Sequence, residues 1–485
     1  MSKKVLFTFA GGHDPIGGKN DGPILHICRF NHPEKIYLIL TKEMLVLQEE
    51  ENVYEKAIHA NLNYEPIIIP IKTDIEDAHH FDTFFDIINE VFGMIKENEP
   101  DAQVLVNISS GTPQMTSNLI SYIINSSDLN LVPIQVSSPG EKSNFLDIEK
   151  YKNYDAVAEA EKNIDNKKNP EPKKRIETPD LTRYIRVKIK NQIQQLLDKY
   201  EYEMSLELLN LASFQESHKI KTMLSYANER KHLKGIRANE TFSKIHQDLP
   251  RDLMYYPKDP KLNNIPLWYR ITDYFALAIA KQKSLDIAGY ILMLEPLAVN
   301  LYISILMDLE ISPRSFFNLF TNKTTDKKAE PRYHLDERKV LNNCPDLAKK
   351  INSEFKRTYD YRRDISLRLL SIIIRYSLEK NKNLASKFEK KDLDMLDDIF
   401  LKETQQNSYS TVKTVKDVRN LLAHSLTTYN QSDFQKAVQR DIESINITLE
   451  NFLSKYYTKF GYSEDMLSFY DDINKEILKL LEEEK

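Results

Sequence analysis

Short apolar runs alternate with stretches of helical periodicity through the first third of the chain. This alternation is typical of a parallel sheet whose strands are joined by crossover helices. The sequence therefore predicts a Rossmann-like α/β domain. We expect its strands at 5–9, 35–40, 66–71, 104–108 and 131–136, and its helices at 43–59, 81–97 and 113–125.

The remainder of the chain carries helical patterns and few glycines. Eight of the eleven glycines lie at or before Gly140, so we expect the last two thirds to be nearly all helix. A first group of amphipathic patterns covers 181–199, 203–213, 216–230 and 238–247. A second group begins with a long helix near Leu267 and continues at 285–307, 354–378, 412–426 and 433–456.

Two polar stretches separate these regions. Residues 167–175 combine two prolines with five basic residues, which is the composition of an exposed connector. Such a basic run is either solvated or a contact for RNA. Prolines interrupt the helical pattern again at 250, 257, 260 and 266. We expect a Rossmann-like domain at 1–175, a helical linker domain at 176–265 and a second helical domain at 266–485.

Composition limits the classes of protein that fit. A formal net charge of -5 argues against a wholly basic surface that coats nucleic acid, so a polyanion site must be local. Cys28 and Cys344 are too few and too far apart for a disulfide framework, which favours a cytoplasmic location. The first apolar run is too short for a signal peptide, and no window approaches 18 uninterrupted apolar residues.

A polar turn follows the fourth predicted strand, with the sequence Asn-Ile-Ser-Ser-Gly-Thr-Pro-Gln-Met from Asn107 to Met115. Gly111 lets the backbone approach a ligand closely, and three residues of the turn carry hydroxyl groups. Pro113 at the first helical position leaves free N–H groups to meet an anion. Ser/Thr/Gly turns also cap helices where no ligand binds, so the turn alone leaves both interpretations open.

A second polar turn, residues 10–22, follows the first predicted strand and is rich in glycine. It does not match the phosphate-loop pattern, because His13 stands where glycine is needed and Asn20 replaces the hydroxyl residue. The turn is either a phosphate cradle or a mobile connection. Since ligands of such sheets bind at the carboxyl ends of the strands near a switch point, the two turns are candidates for one shared site.

The chemistry of the helical region is concentrated in Arg419, Asn420 and His424. An arginine can hold a phosphate and its developing charge, and a histidine can move a proton between a ribose 2'-OH and the leaving oxygen. On a regular helix Arg419 and His424 point about 140° apart, so a catalytic motif implies facing helices from a two-fold dimer. The alternative is that Arg419 pairs with Asp417 or with another helix, and that His424 is an ordinary interfacial histidine.

A further basic group, Arg362-Arg363-Asp364, lies within the predicted helix 354–378. It could assist the same chemistry, although a surface ion pair is the simpler interpretation.

These stretches together resemble one family, the Csm-type accessory ribonucleases of type III CRISPR systems. Members of that family join an N-terminal CARF domain to a C-terminal HEPN domain through a helical segment. The resemblance spans essentially the whole chain. It rests on residues 11–15 after the first strand, on 107–115 after the fourth, and on 419–424 in the last helices.

The resemblance implies that the CARF domain binds a cyclic oligoadenylate messenger across the axis of a homodimer, with a ring of six adenylates favoured over four. The resemblance also implies that this messenger comes from the CRISPR effector complex and switches on the nuclease in defence against viruses and plasmids. By this resemblance the messenger pocket is lined by Gly11, Gly12, His13, Asp14, Asn107, Ser109, Ser110, Gly111, Thr112 and Gln114.

For the HEPN domain, the resemblance implies a composite ribonuclease centre of Arg419, Asn420 and His424. It implies cleavage of single-stranded RNA by 2'-OH attack, which leaves a 2',3'-cyclic phosphate, with no metal and no cofactor required. The hydroxyl and amide groups of 107–114 beside His13 also suggest that the first domain slowly cleaves its own activator.

Two other classes of protein share parts of these features. A messenger-responsive regulator without catalysis would keep the first domain, but it should carry a DNA-reading element, and none is evident in the last domain. A toxin-type helical ribonuclease would keep Arg419 and His424, but it would have no use for the two ligand turns.

Overall fold

The computed structural model describes residues 3–126, 130–139, 154–167, 171–211, 218–244, 267–309, 317–320, 332–401 and 413–483. The chain separates into two compact units, Met1–Lys188 and Ile189–Lys485. The expected division into three domains stays a prediction. The four prolines of the predicted second boundary lie outside the described residues.

The first unit is built on a six-stranded sheet. Its strands are β1 (Lys4–Phe9), β4 (Lys35–Leu40), β5 (Ile67–Lys72), β6 (Gln103–Asn107), β7 (Asn130–Val136) and β8 (Ile176–Glu177), and a small hairpin pairs β2 (Ile16–Gly17) with β3 (Asn20–Asp21). The order in the sheet is β5-β4-β1-β6-β7-β8. Strands β5, β4, β1, β6 and β7 run parallel to their neighbours, and β8 is antiparallel to β7. The direction of winding therefore reverses between β1 and β6, which is the switch point of the sheet.

Helices cover both faces of this sheet. They are α1 (Pro23–Asn31), α2 (Lys42–Glu51), α3 (Val53–Asn61), α4 (Phe84–Asn98), α5 (Pro113–Asn125) and α6 (Ala156–Lys162). Successive residues of β1 point to opposite faces, so Leu6 packs in the core under α1 to α3 and Phe7 packs in the core under α4 and α5. Phe7 stacks on Phe92 with ring centroids 4.3 Å apart. Both cores are apolar because the strands are buried on both faces.

The sequence prediction of this unit is confirmed for its class and for all five strands, each within one residue at either end. The predicted single helix at 43–59 is wrong. Asn52 adopts a left-handed conformation, with φ of 52°, and separates α2 from α3. Helix α1 and the β2–β3 hairpin are not predicted from the sequence, because both lie within or next to the glycine-rich turn, which shows no helix or strand pattern.

The second unit is mostly helical. It begins within α7 (Thr182–Leu197) and continues with α8 (Tyr202–Leu211), α9 (His218–Lys231), α10 (Gly235–Ser243), α11 (Leu267–Lys283) and α12 (Ile287–Asp308). After the hairpin of β9 (Phe317–Phe320) and β10 (Arg332–Leu335) come α13 (Glu337–Asn343), α14 (Pro345–Phe355), α15 (Leu367–Lys380), α16 (Lys382–Lys387) and α17 (Lys390–Phe400). The final helices are α18 (Val415–His424), α19 (Gln431–Val438), α20 (Ile442–Tyr457) and α21 (Phe469–Glu483).

Helix α12 is the apolar centre of this unit. Its length and composition would by themselves allow it to cross a membrane, and it is the single such helix among the described residues. Side chains such as Tyr290, Leu294 and Tyr302 are completely buried in the unit. A buried core helix passes the same test of length and composition as a membrane span, so the sequence property alone does not distinguish the two.

The expectation that this region is nearly all helix is confirmed for the described residues, with an antiparallel hairpin of β9 and β10 between the helices. Two predictions of single helices are wrong. The predicted helix at 433–456 is divided, because Gln439 ends α19 in a left-handed conformation and α20 begins at Ile442. The predicted helix at 354–378 is interrupted, because Lys356 ends α14 in a left-handed conformation and the Ser366 side chain caps the start of α15. Residues 362–364 therefore lie between two helices rather than on one.

Candidate functional site

The turns after β1 and β6 touch each other at the switch point. We refer to residues 10–22 and 107–112 as the paired turns. A Cβ atom on Gly11 would lie 2.6 Å from the backbone nitrogen of Gly111, so a side chain at position 11 would push the turns apart. Gly111 has a φ of 91°, which disfavours any other residue there. The prediction that these two turns lie side by side is confirmed.

Asp14 joins the paired turns from inside. Its carboxylate accepts hydrogen bonds from the backbone nitrogens of Gly11, at 3.1 Å, and Ile24, at 2.9 Å. The hydroxyl of Ser110 in the other turn also stabilises the charged form of this carboxylate. Burial raises the pKa of Asp14 to about 6, against the opposing effect of these hydrogen bonds. Because the side chain is completely buried, it shapes the site rather than lining its surface.

Asn107 shapes the second turn in the same way. Its buried Nδ2 donates to Thr8 Oγ1 at 2.9 Å and to Ser110 Oγ at 2.7 Å, and its Oδ1 accepts from the backbone of Ser109. Ser109 in turn accepts a hydrogen bond from the backbone nitrogen of Val136. The polar atoms that suggested a ligand turn are therefore largely occupied in holding the turn's own shape.

The remaining pocket candidates lie nearer the surface. Thr112 caps α5, and its hydroxyl donates to the carbonyl of Ala78 at 2.7 Å. Gln114 is partly buried, and its Oε1 is buried without a hydrogen-bond partner among the described residues. Gly12, His13 and Gly111 are exposed. A ligand at the switch point would therefore meet the backbone of both turns, the His13 side chain and the start of α5.

A buried polar network that the sequence does not predict lies beside the first turn. Arg175 donates to the backbone oxygens of Ser137, at 2.8 Å, and Asp21, at 2.9 Å, and its guanidinium lies 3.4 Å from Asp165 Oδ2. Its backbone nitrogen donates to Nε2 of His26. Arg175 had been assigned to an exposed basic connector, and that assignment is wrong because its side chain is only 9% exposed.

Charged groups of opposite sign balance within this network. Asp21, His26 and Asp165 are the one set of described residues whose possible metal ligands lie within 4.8 Å of one another. Arg29 donates to both carboxylate oxygens of Asp21. Burial opposes the charge of Asp21, but the contacts with Arg29 and His26 outweigh it and lower its pKa to about 2. Since two arginines already pair with the two carboxylates, we assign this cluster a structural role.

The motif helix of the second unit is α18. Thr414 and Asp417 form a reciprocal capping box at its start, with hydrogen bonds of 3.0 and 3.1 Å between backbone and side chain. Val415 and Val418 are buried and fix the inward face of the helix. His424 is exposed at its last residue. The alternative that Arg419 pairs with Asp417 is wrong, because Asp417 caps the helix instead.

Arg419 is held by two contacts. Its Nε lies 3.3 Å from Oε2 of Glu295 on α12, so the alternative of a pairing with another helix is confirmed. Its NH1 donates to Oδ1 of Asn420 at 3.2 Å. Asn420 lies between Arg419 and His424 around the helix and one turn before His424. The contact with Asn420 therefore directs the guanidinium towards the side of the helix that carries His424.

The other basic group is not part of this arrangement. Arg362 and Arg363 form ion pairs with Asp360 at 3.4 and 3.9 Å, and Arg362 is almost fully exposed. The interpretation of this group as a surface ion pair is confirmed.

Two family models match this chain, one within each of its two units. Residues 67–176 match the model of the Csm6 CARF domain, and residues 267–478 match that of the Csm6 HEPN domain. The first match contains the turn after β6 but begins beyond the turn after β1. The second contains all of α18.

Two relatives and one solved structure extend this comparison. The CRISPR system endoribonuclease Csm6 of Streptococcus thermophilus is 24% identical, over 99% of this chain and 100% of that protein. The Enterococcus italicus protein of the same name is 29% identical, over 51% of this chain and 57% of that protein. The structure of Enterococcus italicus Csm6 bound to cyclic hexa-2'-fluoro-hexa-dAMP superposes with a TM-score of 0.66 at 18% identity, covering 99% and 100% of the two chains, which shows a shared fold.

Proposed function

The chain belongs to the Csm6 family by both its CARF and its HEPN domain, and we propose that it cleaves single-stranded RNA when its first unit binds a cyclic oligoadenylate. The observation that carries this proposal is the position of Arg419, Asn420 and His424. They lie together on one helix within the part that matches the HEPN model, with His424 open to solvent.

These residues supply what RNA cleavage by an internal nucleophile requires. The ribose 2'-oxygen attacks the adjacent phosphorus and loses its proton, the bond to the 5'-oxygen breaks, and that oxygen gains a proton. Arg419 stabilises the charge on the phosphate, and His424 transfers protons. The products are a 2',3'-cyclic phosphate and a 5'-hydroxyl, and the proposed reaction needs no metal. Because one copy offers a single arginine and a single histidine, the proposed centre combines two copies in a homodimer.

The activator site of the proposal is formed by the paired turns. A cyclic ligand with internal symmetry suits the axis of a dimer, and exposed backbone at Gly12 and Gly111 suits a phosphate-bearing ring. The related structure with a ring of six nucleotides supports six adenylates over four. In this proposal the type III CRISPR effector supplies the messenger in the cytoplasm. Slow cleavage of the ring by the first unit stays a prediction.

Substitution of the two motif residues tests this function. We expect Arg419→Ala and His424→Ala each to lower the rate of RNA cleavage by roughly 10²-fold or more, because charge stabilisation and proton transfer are lost. The measurement is cleavage of a labelled single strand in EDTA, with rings of four and six adenylates titrated separately.

Two controls sharpen this test. Arg338→Ala removes an exposed arginine of the same unit and should leave the rate unchanged. Binding of the ring to both motif variants should match that of the wild type, since the paired turns are intact. If the double variant Arg419→Ala/His424→Ala cleaves RNA at the wild-type rate, the assigned centre is wrong. If neither ring binds to the protein, the proposed activator is wrong.

A further inference from the structure

Glu295 is the acidic residue that faces the motif helix. It lies on α12, and its side chain is 21% exposed. Its Oε2 lies 3.3 Å from Arg419 Nε, and its Oε1 lies 3.9 Å from Lys416 Nζ. Lys416 and Arg419 are three residues apart, so they project from the same side of α18. One carboxylate on one helix therefore contacts two cations on the next.

The contact with Glu295 occupies a particular edge of the guanidinium. Arg419 Nε is buried and lies 3.3 Å from the carboxylate as an ion pair, without donating a hydrogen bond to it, and NH1 donates to Asn420. Among the described residues, NH2 donates no hydrogen bond, whereas NH1 does. A planar guanidinium with a hydrogen bond at NH1 and an ion pair beside Nε has restricted rotation, which limits the directions of its remaining donors. The free donor is the one available to a phosphate oxygen.

The charges at this place support the same conclusion. One carboxylate against Lys416 and Arg419 leaves a net positive charge beside the motif. The position therefore still attracts a phosphate, while the carboxylate restrains the arginine that must meet it. A neutral side chain of the same shape would leave the attraction in place and remove the restraint.

We propose that Glu295 is a positioning residue of the ribonuclease centre, which orients Arg419 through their ion pair so that NH2 meets the scissile phosphate. This inference rests on the proposed function. Glu295 does not touch the reacting atoms in this assignment, so its removal should slow the chemical step more than it weakens RNA binding.

The direct test is Glu295→Gln in the full chain, which keeps the shape of the side chain and removes its charge. We expect kcat to fall roughly 10- to 100-fold while KM for the RNA changes less than about threefold. The matched control is Asp394→Asn, because Asp394 forms a 2.6 Å ion pair with Arg375 elsewhere in the same unit. A general loss of stability would affect both variants, whereas loss of orientation affects Glu295→Gln alone.

Coupling between the two residues provides a second test that does not depend on one variant. If Glu295 acts through Arg419, adding Glu295→Gln to Arg419→Ala should slow cleavage no further. Glu295→Asp keeps the charge but shortens the side chain, so its kcat should lie between those of the wild type and Glu295→Gln.

The possible outcomes separate this inference from the proposed function. Cleavage by wild type and by Glu295→Gln at equal rates, with Arg419→Ala inactive, would overturn the inference alone. A faster Glu295→Gln would also overturn it, because the carboxylate would then hold Arg419 away from the substrate. Independent losses that multiply in the double variant would show that Glu295 does not act through Arg419. A wild-type protein that cleaves no RNA would overturn both.

Discussion

At the scale of single residues, the candidates for the messenger pocket divide by burial. Asp14, Asn107 and Ser110 are buried and bond to one another or to the backbone, so they set the shape of the paired turns. Gly12 and His13 are exposed and lie where a ligand could contact them. The distinction matters for mutagenesis, because a change in the first group alters the site through its shape rather than through a lost contact.

The stability contributed by Asp14 should depend on pH. Burial raises its pKa from 3.8 to about 6, so between these values the folded protein binds the proton more tightly than the unfolded chain. The contribution of Asp14 is therefore complete below about pH 4 and is lost as the pH rises through 6. We expect it to grow by roughly 1 to 1.5 kcal/mol between pH 7 and pH 5.

Asp14→Asn isolates this contribution, because asparagine does not titrate. In the wild type, two backbone N–H groups donate to the two oxygens of the Asp14 carboxylate. The side-chain NH2 of asparagine would face one of these donors and could not accept from it, so the variant should be less stable at both pH values. The difference in unfolding free energy between wild type and variant should be larger at pH 5 than at pH 7. Urea unfolding followed by circular dichroism measures it, and a difference independent of pH would disprove the assignment.

At the scale of elements, the first turn is tied to the end of the first unit. Asn163 and Asp165 lie in the short turn after α6. The Asn163 side chain donates a hydrogen bond to the carboxylate of Asp21, and the Asp165 carboxylate accepts one from the backbone nitrogen of Asp21. Arg175, directly before β8, bonds to the backbone oxygen of the same residue. The hairpin after β1 is therefore held by segments that follow it by more than 140 residues.

Arg175→Ala should destabilise the first unit by roughly 3 to 5 kcal/mol, because it leaves the buried carboxylate of Asp165 with one cation fewer and the oxygen of Ser137 without this donor. The comparison variant is Arg183→Ala, an exposed arginine on α7, which should cost less than about 0.5 kcal/mol. Urea unfolding of both variants gives the values. Equal, small losses would show that the network contributes little.

At the scale of the whole molecule, the proposed centre needs a second copy. Residues that follow the motif are open to solvent, and Leu426 is fully exposed two positions beyond His424. A large apolar side chain beside a motif that is proposed to act in two copies is a candidate contact between them. The two units are linked in one chain, so a dimer would also bring two sets of paired turns into one assembly.

We expect light scattering to give twice the 56.7 kDa mass of the chain at micromolar concentration. Leu426→Asp should weaken this association and lower RNA cleavage in parallel, because a charge replaces an apolar contact. Ile447→Asp is the control, since Ile447 is an exposed apolar residue on α20. A monomeric wild type with full activity in the presence of the ring would contradict the composite centre.

Local patterns of the sequence determined the strands, the two polar turns and the motif helix. Each of these depends on residues that are neighbours along the chain, such as an apolar run that ends at Asn107 or a capping box at Thr414. The break between α14 and α15 escaped the same reasoning, because amphipathic periodicity continues across residues that do not form a helix.

Only the tertiary structure decided which polar groups are buried and with which partners. From the sequence, Arg175 belongs to a basic run that is expected to be exposed. In the structure its side chain donates a hydrogen bond to the backbone oxygen of Asp21, 154 positions earlier. The partner of Arg419 is Glu295 on another helix, and neighbouring Asp417 is used as a cap. The sequence shows charge and spacing, whereas the choice between solvation and pairing depends on distances that folding alone creates. That is why Arg419, Asn420 and His424 could be proposed as a centre from the sequence, whereas Glu295, the ion-pair partner of Arg419, could not.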